Sequence, residues 1–281
     1  MEFRPLSYAL GAEVLGIDLA KDISAAAFDE VHQAFLRYGI LLFRDQHLTR
    51  EQHIAFGRRF GELDCNERSP DTDPNYPELT IITTRPQADG TPSESRYTGR
   101  LWHSDLCHTL TPAMGSLLRC MERPEVGGDT LFSNMYLAYD TLSDGMKKLL
   151  EGLHGVHARG RQYDTMSAER VAFLKALRPV AQPAVRVHPE TGRKTLYIGE
   201  KVKQFVGLTA EESRPLLDFL NRHATRPEFV YRHQWRKHDI VMWDNRCTQH
   251  QALGDFDMTQ IRHMERTTIK GTPSGYLIEA A

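Results

Sequence analysis

The 281-residue chain has few cysteines and no paired cysteine motif. Its four cysteines, Cys65, Cys107, Cys120 and Cys247, are far apart and include no CxxC pair. This usage argues against a disulfide framework or a structural zinc site, and lone thiols of this kind are typical of a reducing compartment. We therefore expect a cytoplasmic protein.

The chain also lacks a charge excess and long apolar runs. Lysine and arginine total 35 against 37 acidic residues, a formal net charge of -2, which leaves no electrostatic footprint for nucleic acid or an anionic membrane. No stretch is long and apolar enough to span a bilayer, and the N-terminus has no basic region followed by an apolar core. With 40% hydrophobic and 26% charged residues, the composition is that of an ordinary globular protein.

No internal repeat, low-complexity tract or Gly/Ser linker divides the sequence, so we treat 1–281 as one domain. Helix signals are Ser24 ahead of an apolar face ending at Gly39, the capping box Thr49/Gln52, the run Leu142 to Leu153, and the capping box Thr209/Glu212. Strand signals are Ile40 to Phe43, Leu79 to Thr83, Leu196 to Ile198, Phe229 to Tyr231, Ile240 to Trp243 and Arg266 to Ile269. Strands separated by irregular insertions favour an antiparallel sandwich or jelly roll with peripheral helices.

The segment 64–97 is polar and rich in Pro, Asp, Asn, Thr and Ser, apart from the strand-like run at Leu79. Long loops of this kind in a compact domain are usually functional lids or disordered. We expect this segment to lie over an active site.

Histidine is abundant, with thirteen in the chain, and three of them begin a His-x-Asp/Glu triplet. His188 lies in a His-Pro-Glu-Thr-Gly turn signature, which predicts a solvated surface position for His188 and Glu190. His263 is flanked by arginines, which repel a divalent cation. His103 is best placed, at a predicted strand start, where residues i and i+2 share a face, so that His103 and Asp105 can converge on one metal ion.

A chelate of this kind needs a third ligand, and His250 is the candidate because it follows an apolar strand closed by Trp243-Asp-Asn-Arg-Cys-Thr-Gln-His250. Two imidazoles and one carboxylate form the facial ligand set of non-haem Fe(II) oxygenases. Two alternatives stay open at this point. The histidines are equally typical of buried residues that donate to backbone carbonyls, and the same ligand set suits catalytic zinc.

Two further features indicate an anionic ligand. Arg262 and Arg266 are four apart near the C-terminal strand, and a planar guanidinium suits bidentate carboxylate or sulfonate recognition. Gly127-Gly-Asp-Thr130 predicts a tight turn that presents the Thr130 hydroxyl at a strand start. The alternatives are surface salt bridges for the arginines, with partners such as Asp255, and a simple hairpin turn for the glycines.

Taken in order, these motifs resemble the taurine and 2,4-dichlorophenoxyacetate dioxygenase family of Fe(II)/2-oxoglutarate enzymes. The resemblance rests on Trp102-His-Ser-Asp105, Gly127-Gly-Asp-Thr130, Trp243-Asp-Asn-Arg-Cys-Thr-Gln-His250 and the Arg262/Arg266 pair. It extends to Leu10-Gly-Ala-Glu-Val-Leu-Gly-Ile-Asp18, Phe43-Arg-Asp-Gln46, Phe60-Gly-Glu-Leu63 and His188-Pro-Glu-Thr-Gly192. The similarity therefore covers nearly the whole chain.

The resemblance implies a distorted jelly-roll, cupin-like core with helices outside and inserted loops over the metal. It implies that His103, Asp105 and His250 are iron ligands, that Thr130 and Arg262 hold the distal carboxylate of 2-oxoglutarate, and that Arg266 meets the acidic group of the substrate. Fe(II), 2-oxoglutarate and O2 are the implied cofactor and cosubstrates. Members of the family are commonly dimers or tetramers.

The same resemblance bears on the substrate, a small organic acid. Where taurine dioxygenases have a histidine and a tyrosine after the Phe-Gly-Glu-Leu motif, this chain has approximately Asn66 and Ser69, so an aryloxyalkanoate is favoured over taurine. Candidate pocket residues are Asn66, Arg96, Tyr97 and His108. The alternatives are an alkylsulfate or alkylsulfonate dioxygenase, a biosynthetic 2-oxoglutarate oxidase, and a cupin-like metal-binding protein without oxygen chemistry.

Overall fold

A computed structural model describes residues 1–65, 72–157, 168, 171–172 and 178–278 of the chain. The helices are α1 (Ala25–Tyr38), α2 (Arg50–Arg58), α3 (Met135–Asp140), α4 (Asp144–Leu150) and α5 (Ala210–Ala224), with short 3-10 helices at Glu94–Tyr97 and Pro227–Phe229. The strands are β1 (Glu2–Pro5), β2 (Ala12–Leu15), β3 (Ile40–Phe43), β4 (Thr72–Asp73), β5 (Tyr76–Thr83), β6 (Ala113–Glu122), β7 (Thr130–Asn134), β8 (His154–His157), β9 (Val180–Pro183), β10 (Val185–Val187), β11 (Lys194–Leu196), β12 (Val202–Phe205), β13 (Val230–His233), β14 (Ile240–Asp244), β15 (Thr248–Ala252), β16 (His263–Lys270) and β17 (Tyr276–Leu277).

Eight of these strands form one large sheet in the order β1-β2-β3-β14-β6-β16-β5-β4. Smaller sheets have the orders β13-β7-β15, β12-β8-β9-β17 and β10-β11. Apart from the parallel pair β2/β3, the described strand pairs are antiparallel. Non-consecutive neighbours such as β14-β6-β16 are expected of a jelly roll, in which strands distant in sequence lie side by side.

The large sheet is covered on both faces. On one face, Phe132 of β7 packs against Trp243 of β14 and Met264 of β16, so the small sheet β13-β7-β15 closes over the large one. On the other face, Phe35 of α1 and Ile54 of α2 pack against the large sheet. The core is therefore a distorted jelly roll with peripheral helices, as the sequence predicted.

The helix boundaries follow the capping signals. The Ser24 side chain accepts from Ala27 N, and α1 ends at Gly39 in the left-handed region. Both predicted capping boxes form, Thr49 with Gln52 ahead of α2 and Thr209 with Glu212 ahead of α5. The predicted helix from Leu142 to Leu153 is shorter, because Ser143 caps α4 and Leu150 ends it.

Among the described residues, no helix combines the length and hydropathy needed to cross a bilayer. Within the segment expected to be a loop, β5 begins at Tyr76 and is longer than predicted. Residues 66–71 of that segment lie outside the described residues.

Candidate active site

His103 and His250 face each other across an isolated antiparallel bridge. The His103 N–H donates to the His250 carbonyl at 3.1 Å, and the His250 N–H donates to the His103 carbonyl at 2.8 Å. Their rings lie 4.2 Å apart between centroids. His103 is thus held by one bridge to β15 rather than at a strand start, which corrects the local structure expected from the sequence.

Asp105 completes the group. Its two carboxylate oxygens lie 3.8 Å from Nε2 of His103 and 3.9 Å from Nε2 of His250. The Asp105 N–H donates to Oδ1 of Asn245 at 2.9 Å, and the Ser116 hydroxyl donates to Oδ2 of Asp105 at 2.8 Å. Backbone and side chain of Asp105 are therefore both fixed, although Asp105 is in a turn rather than a strand.

The electrostatics of this group keep the imidazoles neutral and the carboxylate charged. Burial raises the pKa of Asp105, but opposing effects, of which the charge of the Arg266 guanidinium is the largest, outweigh it, so the pKa lies well below the ordinary value. Burial lowers the pKa of His250 to about 4 and that of His103 well below its usual range. Neutral imidazole and ionised carboxylate are the protonation states that bind a metal ion.

The donor atoms also fit a metal ion. Nδ1 of His103 donates to the Leu101 carbonyl at 2.6 Å, which leaves the lone pair on Nε2 free for coordination. One ligand atom from each of His103, Asp105 and His250 lies within 4.8 Å of the others, and all three residues are buried. Two nitrogens and one carboxylate oxygen suit Fe(II), and the arrangement could hold it.

A second buried cluster of His188, Asp244 and Cys247 has similar spacing, but its ligand atoms are not free to coordinate a metal ion. Nδ1 of His188 accepts from the Glu190 and Thr191 N–H groups, so Nε2 carries the proton and donates to Oδ2 of Asp244 at 3.0 Å. Burial raises the pKa of the Cys247 thiol well above its usual range. This cluster is a hydrogen-bond network rather than a metal site.

His188 corrects the sequence prediction of a surface turn. Its side chain is fully buried and donates to Asp244. The Asp244 carboxylate also pairs with Arg246 at 2.7 Å. Glu190 is partly exposed and pairs with Arg246 and with His32. The turn itself is present, and the side chain at its start points inward.

Arg262 is a buried guanidinium with no carboxylate within salt-bridge distance among the residues the structure describes. Its Nε donates to the Gly128 carbonyl at 2.9 Å, and its Nη2 lies 3.5 Å from the Thr130 hydroxyl. Burial lowers the pKa of Arg262 to about 10. A desolvated cation without a counter-ion is costly, so an anion bound at this position would be stabilising.

The Gly-Gly turn allows Thr130 to approach Arg262. Gly127 and Gly128 both have positive φ, and a Cβ at Gly128 would lie 3.0 Å from Pro124 and 3.3 Å from the Arg262 side chain. β7 then places Thr130 opposite Ala252 of β15, two residues beyond the His250 pair. Thr130 of β7 and His250 of β15 therefore lie on neighbouring strands.

Arg266 projects from β16 to the candidate metal ligands, where its Nη1 donates to Oδ1 of Asp105 at 2.7 Å. The surface salt bridges with Asp255 considered for these arginines do not form, since Asp255 pairs with Arg232. Nε of Arg266 is buried without a hydrogen-bond partner in the structure. One edge of this guanidinium is thus held by Asp105, and Nε is available to another acceptor.

The remaining predicted pocket residues are less closely tied to the site. Arg96 and Tyr97 lie on the short 3-10 helix beside β5, where both Arg96 and Arg100 stack on the Tyr97 ring. His108 is half-buried in the turn that follows Asp105. Asn66 and Ser69 lie outside the described residues.

Sequence reasoning missed three residues that support the site. Asn245 accepts from Asp105 N and donates to Ser116, which links β14 to β6. Trp235 donates from Nε1 to the Thr130 hydroxyl at 3.0 Å. The Trp-Asp-Asn-Arg motif was a signal for Asn245. Ser116 reaches the site through the pairing of β6 with β14, and Trp235 lies beyond the end of β13; neither carries a local signal.

Comparison with known proteins agrees with this geometry. Residues 2–268 match the family model "Taurine catabolism dioxygenase TauD, TfdA family". The chain belongs to this family. An (S)-phenoxypropionate/alpha-ketoglutarate-dioxygenase from Sphingobium herbicidovorans is 36% identical, over 97% of this chain and 96% of the relative. An alkylsulfatase from Acinetobacter baylyi is 32% identical, over 96% and 85% of the two chains.

Solved structures of this family have the same fold. A taurine dioxygenase from Burkholderia xenovorans superposes with a TM-score of 0.83 at 35% identity, covering 100% of this chain and 95% of that one. AAD-2 in complex with Mn(II) and N-oxalylglycine gives a TM-score of 0.80 at 34% identity, covering 97% and 98%. As a member of this family, the chain is a 2-oxoglutarate-dependent non-haem iron dioxygenase that uses Fe(II), 2-oxoglutarate and O2.

Proposed function

We propose that the chain hydroxylates a C–H bond of a small organic acid next to a heteroatom, so that the product cleaves, with an aryloxyalkanoate as the favoured substrate. His103, Asp105 and His250 hold Fe(II) in this proposal, and Thr130 with Arg262 holds the distal carboxylate of 2-oxoglutarate. Arg266 meets the acidic group of the substrate.

The observation that carries the proposal is the pairing of a buried His/Asp/His group with a buried arginine that lacks a carboxylate partner among the described residues. A protein that only binds metal has no use for the arginine. An enzyme that binds a dicarboxylate beside its metal needs both, because the second carboxylate must be held away from the metal.

The protein's own groups then act by position and charge. The bound iron supplies the chemistry that couples decarboxylation of 2-oxoglutarate, to succinate and CO2, with hydroxylation of the substrate by O2. Ser116, Asn245 and Arg266 hold Asp105 in place, so that its charge is fixed toward the two imidazoles. Burial of all three ligand residues excludes bulk water from the reacting groups.

The relatives support the substrate class. Besides the phenoxypropionate dioxygenase, a 2,4-dichlorophenoxyacetate dioxygenase from a Burkholderia strain is 36% identical over 92% of this chain and 91% of the relative. The alkylsulfatase at 32% identity favours the second candidate, an alkylsulfate or alkylsulfonate dioxygenase. Arg266 serves either a carboxylate or a sulfur acid, so the side chain itself does not separate the two.

The first test measures succinate release by the anaerobically Fe(II)-loaded protein with 2-oxoglutarate and O2. Phenoxyacetate, 2-phenoxypropionate, hexyl sulfate and taurine are compared, and omission of iron is the control. We expect stimulation by the aryloxy acids. Stimulation by hexyl sulfate alone would replace the aryloxyalkanoate with a sulfur acid, and iron-dependent turnover that no acid stimulates would favour a biosynthetic oxidase.

Substitution tests the ligand assignment. His103→Ala and Asp105→Ala should abolish iron-dependent succinate formation, because each removes one of three protein ligands. His47→Ala is the matched control, since the His47 side chain is 65% exposed. Substantial turnover by either ligand variant would contradict the assignment, and absence of turnover in the unmodified protein would favour a metal-binding role.

We also propose a cytoplasmic protein that assembles as a dimer or tetramer. The four free thiols, three of them buried, support a reducing compartment. Light scattering of the purified protein would test the assembly, and a monomeric mass would contradict it.

A further inference from the structure

One face of the hairpin β10/β11 and the chain that follows it is polar. Arg186 and Thr195 are register partners on this face, and Tyr197 continues it because side chains alternate along an extended chain. The intervening Leu196 and Ile198 point the other way, into the apolar cluster beneath α3 and α5. The polar face is therefore turned inward, away from that cluster, and all three of its side chains are buried.

His157 of β8 joins this face. Its ring lies 5.7 Å from the Tyr197 ring, and the Arg186 guanidinium stacks on the same Tyr197 ring at 4.4 Å. We refer to His157, Arg186, Thr195 and Tyr197 as the polar wall. The four residues form one contiguous surface.

Several buried polar atoms of the polar wall lack hydrogen-bond partners. Among the residues that the structure describes, five of its buried atoms have no hydrogen-bond partner: Nη1 of Arg186, Oγ1 of Thr195, Oη of Tyr197 and both ring nitrogens of His157. Buried polar atoms are satisfied in more than about 90% of cases, and each exception carries a desolvation cost. Such a concentration on one surface indicates a place where a ligand supplies the missing partners.

The polar wall borders the metal ligands. A Cβ at Gly199, two residues beyond Tyr197, would lie 3.6 Å from Cα of His103. In the same stretch of chain, the Glu200 N–H donates to the Trp102 carbonyl at 3.0 Å. The chain that carries Tyr197 thus runs beside the segment that carries His103 and Asp105.

The charge of the wall selects an anion. Among the described residues, no carboxylate lies within salt-bridge distance of Arg186. Burial, together with the charges of Lys201 and Arg186, lowers the pKa of His157 to about 3, so this imidazole is neutral at pH 7. The wall therefore offers the Arg186 guanidinium, the Tyr197 phenol and the neutral His157 imidazole, which together suit a carboxylate or a similar acidic group.

We propose that the polar wall binds a second acidic group of the substrate, remote from the carbon that is oxidised. The inference rests on the proposed function, in which Arg266 meets the acid beside that carbon. A chlorinated ring or an alkyl tail would leave the donors of the wall buried and unpaired. The substrate class is accordingly an organic acid with acidic groups at both ends.

The experiment compares phenoxyacetate with 3- and 4-carboxyphenoxyacetate. Binding is measured by calorimetry on the full chain loaded with Mn(II) and N-oxalylglycine, so that no turnover occurs. We expect one of the carboxylated acids to bind on the order of 30-fold more tightly than phenoxyacetate, as for one charge-assisted hydrogen-bonded contact. Arg186→Met and Tyr197→Phe should each reduce this preference.

Arg214→Met, at an exposed position of α5, is the matched control and should keep the preference. Tyr197→Phe removes a single oxygen and keeps the test decisive if Arg186→Met fails to fold. The inference is overturned, and the proposed function stands, if phenoxyacetate binds and neither second carboxylate adds affinity, or if the preference survives in Tyr197→Phe. If none of the three acids binds, the aryloxyalkanoate assignment fails together with the inference.

Discussion

In the proposed function, Arg262 combines a stability cost with a binding role in one side chain. Its guanidinium is buried without a carboxylate partner among the described residues, so Arg262→Met should stabilise the unliganded protein by about 1 kcal/mol, the low end for replacing a buried charge by an apolar group of similar volume. The same change should raise the KM for 2-oxoglutarate at least on the order of 100-fold. Urea unfolding and steady-state kinetics measure the two effects, and a destabilised variant with unchanged KM would contradict the assignment.

Trp235 fixes the direction of the Thr130 hydroxyl. Thr130 Oγ1 accepts from Trp235 Nε1 at 3.0 Å and faces a second donor, Nη2 of Arg262, at 3.5 Å. Because both neighbours are donors, the hydroxyl hydrogen must point to a third group, which in the proposed complex is the carboxylate of 2-oxoglutarate.

Trp235→Phe should therefore raise the KM for 2-oxoglutarate by roughly 5- to 10-fold, as for one neutral hydrogen bond, with a smaller change in kcat. In Thr130→Val, which has no hydroxyl, the same tryptophan substitution should have no further effect on KM. A double-mutant cycle measures the coupling. Additive effects on KM would show that Trp235 acts only through packing.

At the residue scale, the sequence predicted that the three candidate ligand residues come together, but it did not predict the burial of His188. His103, Asp105 and His250 do come together, because a His-x-Asp spacing and a histidine after an apolar strand are visible locally. His188 was assigned to the surface because turn chemistry is local, whereas its burial depends on Asp244, which is 56 residues away. Hydrogen bonds between residues so far apart in the chain have no sequence pattern.

The Gly127-Gly128 turn is the element that brings Thr130 to Arg262, and its conformation is costly for any other residue. Gly127 has φ +78°, and a Cβ would lie 2.2 Å from the Asp255 carbonyl oxygen, whereas Gly152 has φ +77° with nothing within 4 Å. Gly152→Ala should therefore cost about 1 kcal/mol from strain alone, and Gly127→Ala should cost roughly 2 kcal/mol more because the Asp255 loop must move.

Urea unfolding of the two variants isolates the cost of the contact with the Asp255 carbonyl, since Gly127 and Gly152 have nearly the same φ. Gly127→Ala should also weaken 2-oxoglutarate binding, because Gly128 and Thr130 both contact Arg262. Equal destabilisation in the two variants would show that the Asp255 loop adapts at no cost.

Elements with their own start and stop signals were predictable. The capping boxes at Thr49 and Thr209 fix the starts of α2 and α5, and the apolar run at Ile40 is β3. The structure of the segment around His103 was not predictable, because a single bridge to His250 holds it. An isolated bridge leaves no periodic pattern in the sequence. Strand order is likewise invisible locally, since β14 pairs with β3 and β6, both far from it in sequence.

At the scale of the whole molecule, folding buries histidines in neutral form, which makes stability depend on pH. Burial lowers the pKa of His53 and of His157 to about 3, against about 6.5 in an unfolded chain. Below pH 6.5 the unfolded chain therefore binds protons that the folded protein does not, and the free energy of unfolding falls as the pH is lowered toward 3. Each of these two histidines should cost about 2 kcal/mol of stability at pH 5.

Urea unfolding of the metal-free protein at pH 7 and pH 5 should show this loss, and His53→Gln should lose about 2 kcal/mol less over the same interval. The other buried histidines contribute equally to both proteins and cancel in the difference. His47→Gln is the control, because the His47 side chain is 65% exposed and its removal should leave the pH dependence unchanged. The same loss of stability in His53→Gln as in the unmodified protein would mean that His53 is protonated without unfolding, contrary to its complete burial.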